Sequence, residues 1–403
     1  SIETTDTTTT LKNNGNTYLS VDTNDDVAIT NTLTATSPAF VTPDIGAATV
    51  TSLNGGQLGG RRNIVYNGAM NVAQRSASET GLGAAAGYFT LDRWKISTGS
   101  SAGRFTMAQV ADGPAGFANC LKLTTTTADT SIAAGEHLLL NQSIEGQDLQ
   151  QLQKGTATAK QFTVSFYVKG NATATYTCEI YDVDNSRAIH QDFAVTTAWN
   201  RIELTFAADT TDPFDDDNAS SLIINIWLHA GSTFTGGTFS SNAWKDNVNN
   251  TRVSDSQTSI YDATSRTFFI TGVQMELGDT ATEFEHRSYG EELALCRRYC
   301  ERYTAISGLF QIPIVGTYNS VTSIIVIHRP QTSYRVAPTL SYSTVSDFDI
   351  EPFDVAPTAI SILQASSDFV SIAVTDPTSR TRGFCGILTL DIEGGYIQFE
   401  AEL

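Results

Sequence analysis

The sequence predicts an all-β protein built as an N-terminal β-rich shaft, a jelly-roll-like β-sandwich, one linking α-helix and a C-terminal β-sandwich tip. Three observations carry this. Short runs of β-branched and aromatic residues recur through the 403-residue chain, with Gly, Pro, Asn and Asp between them. Alternation of period two is clean in FTVSFYVKG, where Phe162, Val164, Phe166 and Val168 share one face. One segment alone joins a helical pattern to a start signal, Ser288 and Glu291 at capping-box spacing.

Residues 1–60 are set apart by composition. They hold fifteen Thr, six acids, one Lys (Lys12) and no Arg, Cys, His or Trp. Apolar positions alternate at Val27, Ile29 and Leu33. Strands this short bury no core alone. The segment is either a disordered linker or a thin shaft in which several chains share one core. The alternation and the scarcity of breakers favour the shaft. NGGQLGG at 54–60 reads as a hinge.

Residues 61–287 read as an antiparallel sandwich. The expected strands are Tyr88–Ser97, Arg104–Val110, Cys120–Thr125, His137–Gln142, Phe162–Lys169, Ala174–Tyr181, Asn200–Phe206, Leu222–His229 and Thr267–Glu276. SLIINIWLHA is nearly continuous apolar, as for a central strand covered on both sides.

A helix is expected over about 289–303, within a linking segment 288–306. Leu293, Cys296, Cys300 and Tyr303 mark one face; Leu295 and Tyr299 mark another. Two stripes suggest packing on the chain's own sandwich and on a neighbouring subunit; a single wide stripe on one domain is the alternative. Leu293, Cys296, Tyr299, Cys300 and Tyr303 are the candidate inter-subunit residues. Residues 307–403 form the tip, another all-β segment with four Arg, no Lys and ten acids.

Two blocks, RRNIVYNGAMNVAQRS at 61–76 and YFTLDRWKIS at 88–97, together with TSRTFFITGVQMELGDTATEFEHRSYGEELALCRRYCERY at 264–303, resemble a family of bacteriophage virion-appendage proteins, the tail or head fibres. The resemblance covers about 61–303. It implies a sandwich similar to carbohydrate-binding modules, a homotrimer, other virion proteins as partners at the N-terminal end, and host attachment through a surface glycan or protein. It also implies a virion location after folding in the bacterial cytoplasm.

Charge and motifs narrow the function. The formal charge is −19, so nucleic acid and an anionic membrane surface are disfavoured as partners, and an anionic glycan needs a local site. No run of 18 apolar residues exists to span a membrane as a helix. The first residues, SIETTDTTTT, have no signal-peptide pattern, and without an initiator Met the chain reads as processed or as a fragment. Five Cys, an odd and sparse set, argue against a disulfide framework. Cys296 and Cys300, one helical turn apart, would have Cβ atoms about 5–6 Å apart, too far for a disulfide, and read as small packing residues. His137, His190, His229, His286 and His328 show no ligand spacing. GxSxG, HExxH, GxxxxGK[ST] and CxxC are missing, so no catalytic residue is named and no enzyme is expected.

No cofactor is expected. Two acidic loops have the composition of Ca²⁺ loops: Asp182, Asp184 and Asn185 in one, Asp212, Asp215, Asp216 and Asp217 in the other. Neither follows an EF-hand pattern, and solvated turns are the favoured reading. For receptor contact the candidates are Tyr318, Asn319, Tyr334 and Arg335, at expected turns of the tip, with Trp244 in the polar loop SSNAWKDNVNN as a further one. A Trp244 ring that closes its loop on the sandwich is the alternative. Trp94, Trp199 and Trp227 are expected in the core. Two other functions remain open: a glycan-degrading appendage enzyme, which needs only a carboxylate pair, and a secreted carbohydrate-binding protein.

Overall fold

The computed structural model describes residues 2–4, 8–13, 16–22, 27–29 and 311–313 as backbone, and residues 61–306 and 314–403 with their side chains. The chain divides into two compact units, Ser1–Thr51 and Ser52–Leu403. In the first, β1 (Ile2–Thr4), β2 (Thr8–Asn13), β3 (Asn16–Asp22) and β4 (Val27–Ile29) pair in chain order as an antiparallel meander. Leu11 lies opposite Leu19, and Leu19 opposite Ile29. Leu33 and the hinge at 54–60 lie outside the described residues.

The second unit opens with thirteen strands. They are β5 (Ser78–Leu82), β6 (Gly87–Tyr88), β7 (Lys95–Gly99), β8 (Arg104–Val110), β9 (Cys120–Thr127), β10 (His137–Glu145), β11 (Phe162–Gly170), β12 (Ala174–Asp182), β13 (Arg187–Val195), β14 (Asn200–Phe206), β15 (Ser220–Ala230), β16 (Lys245–Asp246) and β17 (Thr267–Leu277). A four-residue helix, α1 (Ser232–Thr235), follows β15. Two sheets result, ordered β16-β13-β12-β15-β10-β7-β6 and β14-β11-β17-β9-β8-β5. Their facing sides enclose one large core, to which Phe162, Val164, Phe166 and Val168 of β11, Leu222, Ile224, Ile226 and Leu228 of β15, and Phe268 and Ile270 of β17 contribute.

Each expected strand of this region is a strand, but Tyr88–Ser97 is two. The chain turns between β6 and β7, where Arg93 has a φ of 70°. Strands β5 and β13 escape the sequence pattern. β5 is an exposed edge without apolar alternation. β13 is covered on both faces, so the buried His190 interrupts its pattern.

Helix α2 (Tyr289–Arg297) starts as its capping box directs: the Ser288 hydroxyl accepts from the Glu291 N–H, and the Glu291 carboxylate accepts from the Ser288 N–H. It ends six residues before the expected Tyr303. Cys300–Thr304 is instead β18, which pairs antiparallel with β26 (Tyr396–Glu400) at the far end of the chain. That long-range ladder overrides a helical pattern only one turn long.

The remaining strands are β19 (Gln311–Tyr318), β20 (Ser323–His328), β21 (Thr339–Tyr342), β22 (Phe348–Glu351), β23 (Ala359–Ala365), β24 (Val370–Thr375) and β25 (Cys385–Leu390). They form sheets ordered β18-β26-β21 and β22-β25-β19-β20-β24-β23 around a second core that includes Ile324, Val326, Ile372, Leu388, Ile397 and Phe399. The described residues are all-β apart from α1, α2 and short 3-10 turns.

Candidate functional site

The tip residues expected to meet a receptor are mostly interior. Tyr318 is 1 % exposed; its hydroxyl donates to Asp376, and burial followed by that bond pushes its pKa up to about 12. Tyr334 is 1 % exposed, and its hydroxyl donates to Glu301 Oε2 at 2.8 Å. His328 Nε2 lies 2.9 Å from the same oxygen. Burial alone would raise Glu301; the hydrogen bonds from His328 and Tyr334 outweigh it and hold the carboxyl below its ordinary range. Arg335 spends its donors on the carbonyls of Asn218, Ala401 and Glu402. Only Asn319 is exposed. Trp244 is half-buried against the sandwich core and donates to the Ala207 carbonyl at 2.7 Å, so it closes its loop.

Three of the candidate inter-subunit residues are likewise interior. Cys296, Tyr299 and Cys300 are fully buried within their own chain, and Leu293 and Tyr303 are half-buried. The Tyr299 hydroxyl and the Arg298 guanidinium both donate to Glu145 of β10. The sulfurs are thus interior packing atoms, and all five cysteines are free thiols.

The acidic loops come together, and what they hold is a side chain. Lys154 Nζ lies 2.7 Å from Asp182 Oδ2, 3.3 Å from Asp209 Oδ2, and 2.7 Å from each of the carbonyls of Thr211 and Asp212. The Asp215 N–H donates to Asp184, which ties one loop to the other. Among the described residues no group of three or more His, Cys, Asp or Glu is disposed to hold a metal.

The arrangement best suited to a ligand lies on the outward face of the sheet β14-β11-β17-β9. Inward positions of β11 alternate with Thr163, Ser165, Tyr167 and Lys169, which therefore face out. Register places Lys169 opposite Phe269 of β17, and Phe269 opposite Lys122 of β9. Trp199 stands one step beyond the Val168/Asn200 pair, so it flanks Lys169 on the other side. The result is a cross-strand row Trp199–Lys169–Phe269–Lys122. Lys169 Nζ sits 5.0 Å from the Trp199 ring centre and 4.8 Å from that of Phe269; Lys122 Nζ sits 5.2 Å from Phe269. Trp199 and Phe269 meet edge to face at 6.2 Å. Asp112 accepts from Lys169 at 2.8 and 2.9 Å and fixes its direction. Two residues further along β11, Tyr167 continues the face into Phe117, Phe284 and His286, with centroids 4.9–5.3 Å apart.

This row can do two things chemically. Aromatic faces take the C–H face of a sugar ring by dispersion and electrostatics. The Lys169 ammonium between the rings, with two bonds to Asp112, keeps one of its three donors for a hydroxyl or carboxylate oxygen. The row crosses β11, β17 and β9 and the residue that precedes β14; Trp199, Lys169 and Lys122 are half-buried and Phe269 is buried among them, so a ligand would meet the half-buried members. Sequence reading missed the site because Trp199 reads as core. The polar phase of FTVSFYVKG carried the signal for Tyr167 and Lys169; the register that aligns them with Trp199 and Phe269 is not local information.

No family model and no curated protein matches the chain. Among solved structures it is similar to the enzymatically active domain of tailspike protein 4 of bacteriophage CBA120, at 14% identity over 53% of this chain and 21% of that one, with a TM-score of 0.29. It is also similar to a family 61 carbohydrate-binding module in complex with β-1,4-galactotriose (10%, 54% and 99%, TM-score 0.28). A third is the family 11 module of Clostridium thermocellum in complex with a β-1,3-1,4-mixed-linked tetrasaccharide (11%, 52% and 99%, TM-score 0.25). The chain thus spans about a fifth of that tailspike domain's length, and scores of this size carry no argument about function.

Proposed function

We propose that the chain is a non-catalytic attachment protein of a bacteriophage virion. It folds in the bacterial cytoplasm, works as a homotrimer, joins other virion proteins toward its N-terminal end, and binds a host-surface glycan. The observation that carries glycan binding is the row Trp199–Lys169–Phe269–Lys122. Lys169 is paired with Asp112, so Lys122 is the cation of the row that offers an acidic glycan a local charge in a chain of net charge −19. The resemblance of 61–76, 88–97 and 264–303 to fibre proteins supports the virion reading. Repeated weak sites on one appendage multiply effective affinity, so each row needs only modest strength.

The test is binding of the full chain to capsular and lipopolysaccharide glycans of candidate hosts, with uncharged and uronate-containing polymers compared. Trp199→Ala is expected to lose about tenfold in affinity, ~1.4 kcal/mol. Lys122→Ala is expected to weaken the acidic glycans selectively. No new reducing ends should form. Unchanged binding by both variants would move the receptor site elsewhere, and glycan cleavage would make the protein an enzyme.

A further inference from the structure

We infer that the outward face of the C-terminal sheet is where copies of this chain meet one another. The inference rests on the trimeric reading above. Five adjacent strands, β25, β19, β20, β24 and β23, contain no Asp, Glu, Lys or Arg. Their inward positions fill the core of the C-terminal half. Among the described residues their outward positions are apolar or small except Gln364, opposite Ser371 on the edge strand β23. Val315 is opposite Ile387, Ile325 is opposite Thr317 and Ala373, and Ile327 is opposite Ser371. Val315 and Leu363 are each 58% exposed and Ile327 is 46% exposed. A single exposed Ile is ordinary, but an apolar band that runs across neighbouring strands is not.

Charge decides the occupant. The chain carries 43 acids against 24 bases, so two copies repel at most approaches. A sheet face with no charge on five strands is where a second copy approaches without that cost. A basic protein partner would be drawn to the acidic surface elsewhere and would gain nothing here. A saccharide would want exposed rings to stack on, whereas the rings described on these strands, Tyr318 and His328, both point inward. The first carboxylates, Asp349 and Glu351, stand on the edge strand β22, at the rim. Five strands spaced about 4.8 Å apart make a band about 20 Å wide, a modest area for one partner and one that suits several copies packed around an axis.

Cys385 gives a direct readout. It lies on this face opposite Thr317 and is exposed, whereas the other four cysteines are buried. The experiment is native mass measurement of the full chain together with its rate of alkylation. The wild type is expected as three chains, with Cys385 alkylated slowly. Ile327→Asp and Val315→Asp are expected as single chains with unchanged far-ultraviolet circular dichroism and at least tenfold faster alkylation. Trp199→Ala is expected to stay at three chains, so loss of glycan binding and loss of assembly are separable. A single-chain wild type, aspartate variants that remain at three chains, or rapid alkylation of Cys385 in the wild type would each overturn the inference. The last measurement needs no variant to fold.

Discussion

The Lys154 ammonium occupies a place built like a cation site: two carboxylates and two carbonyls converge on it, and its side chain is 4% exposed. A buried pair of this kind is costly to break, because the surviving partner is left charged and unpaired. Here two aspartates would be left. Asp209 retains Arg187, whose bidentate hydrogen bonds outweigh the upward push of burial and keep the carboxyl below its ordinary range. Asp182, fully buried, keeps only the Asn185 amide groups. Lys154→Ala is therefore expected to cost about 3–5 kcal/mol in urea unfolding. It also vacates an oxygen-lined space of the kind Ca²⁺ fills together with water. Millimolar calcium should raise the melting temperature of the variant and leave the wild type unmoved. An equal response of both proteins, or of neither, would refute this reading. The composition of the two acidic loops was legible in the sequence. The cation they hold was not, since Lys154 stands 28 residues before Asp182 in an unremarked stretch.

At the scale of elements, what the sequence displayed depended on whether one face or two were buried. β11, with one polar face, was readable residue by residue. β13, covered on both faces, was not. The start of α2 was legible because a capping box is local; its end was not, because β26, which extends Cys300–Thr304 into a strand, lies about a hundred residues away. The interior placement of two candidate receptor residues has the same origin. Tyr318 and Tyr334 read as turn residues with polar neighbours, but each sends its hydroxyl to a buried carboxylate, Asp376 and Glu301. Another carboxylate sets a pH dependence in this half. On β22, burial and then the neighbouring Asp391 push Asp349 up to about 6. The unfolded value is near 3.9, so folding favours the protonated form. Its contribution to stability is full below about 4 and is lost as pH rises through about 6. Asp391→Asn should melt at a higher temperature than the wild type at pH 7–8, with the difference closing toward pH 4. A pH-independent difference would show that the two carboxyls do not interact.

At the scale of the whole second unit, the sequence blocks that carried the fibre resemblance meet in one buried polar junction. Asn67, with a φ of 53°, accepts the N–H groups of Asn71 and Val72 on its side chain, and its own N–H donates to Glu292 of α2. Arg75 donates to Glu400 and Glu402 at 2.9 Å. Arg93, fully buried, donates to Glu402 and to the Ser143 carbonyl, and its guanidinium lies 3.4 Å from the ring centre of Tyr299. Burial alone would lower the pKa of either arginine, but neighbouring acidic groups outweigh it and hold both charged: Cys300, Glu402, Asp92 and Glu400 around Arg75, and Glu402, Tyr299 and Tyr88 around Arg93. The last residues of the chain are thus fastened into the first sandwich, although each sandwich has a hydrophobic core of its own. Glu402→Ala leaves two buried guanidiniums short of a partner, at a cost of about 3–5 kcal/mol that falls on the junction and on neither core. Trp94, Trp199, Trp227 and Trp244 all belong to the first sandwich, so tryptophan fluorescence follows that half alone while far-ultraviolet circular dichroism follows both. In the wild type the two urea transitions should coincide, because a buried charge network makes unfolding of one half expose unpaired charge in the other. In Glu402→Ala they should separate, with dichroism declining at lower urea as the C-terminal sheets unfold first. Coincident curves with an unchanged midpoint in the variant would mean that the two cores, and not Glu402, couple the halves.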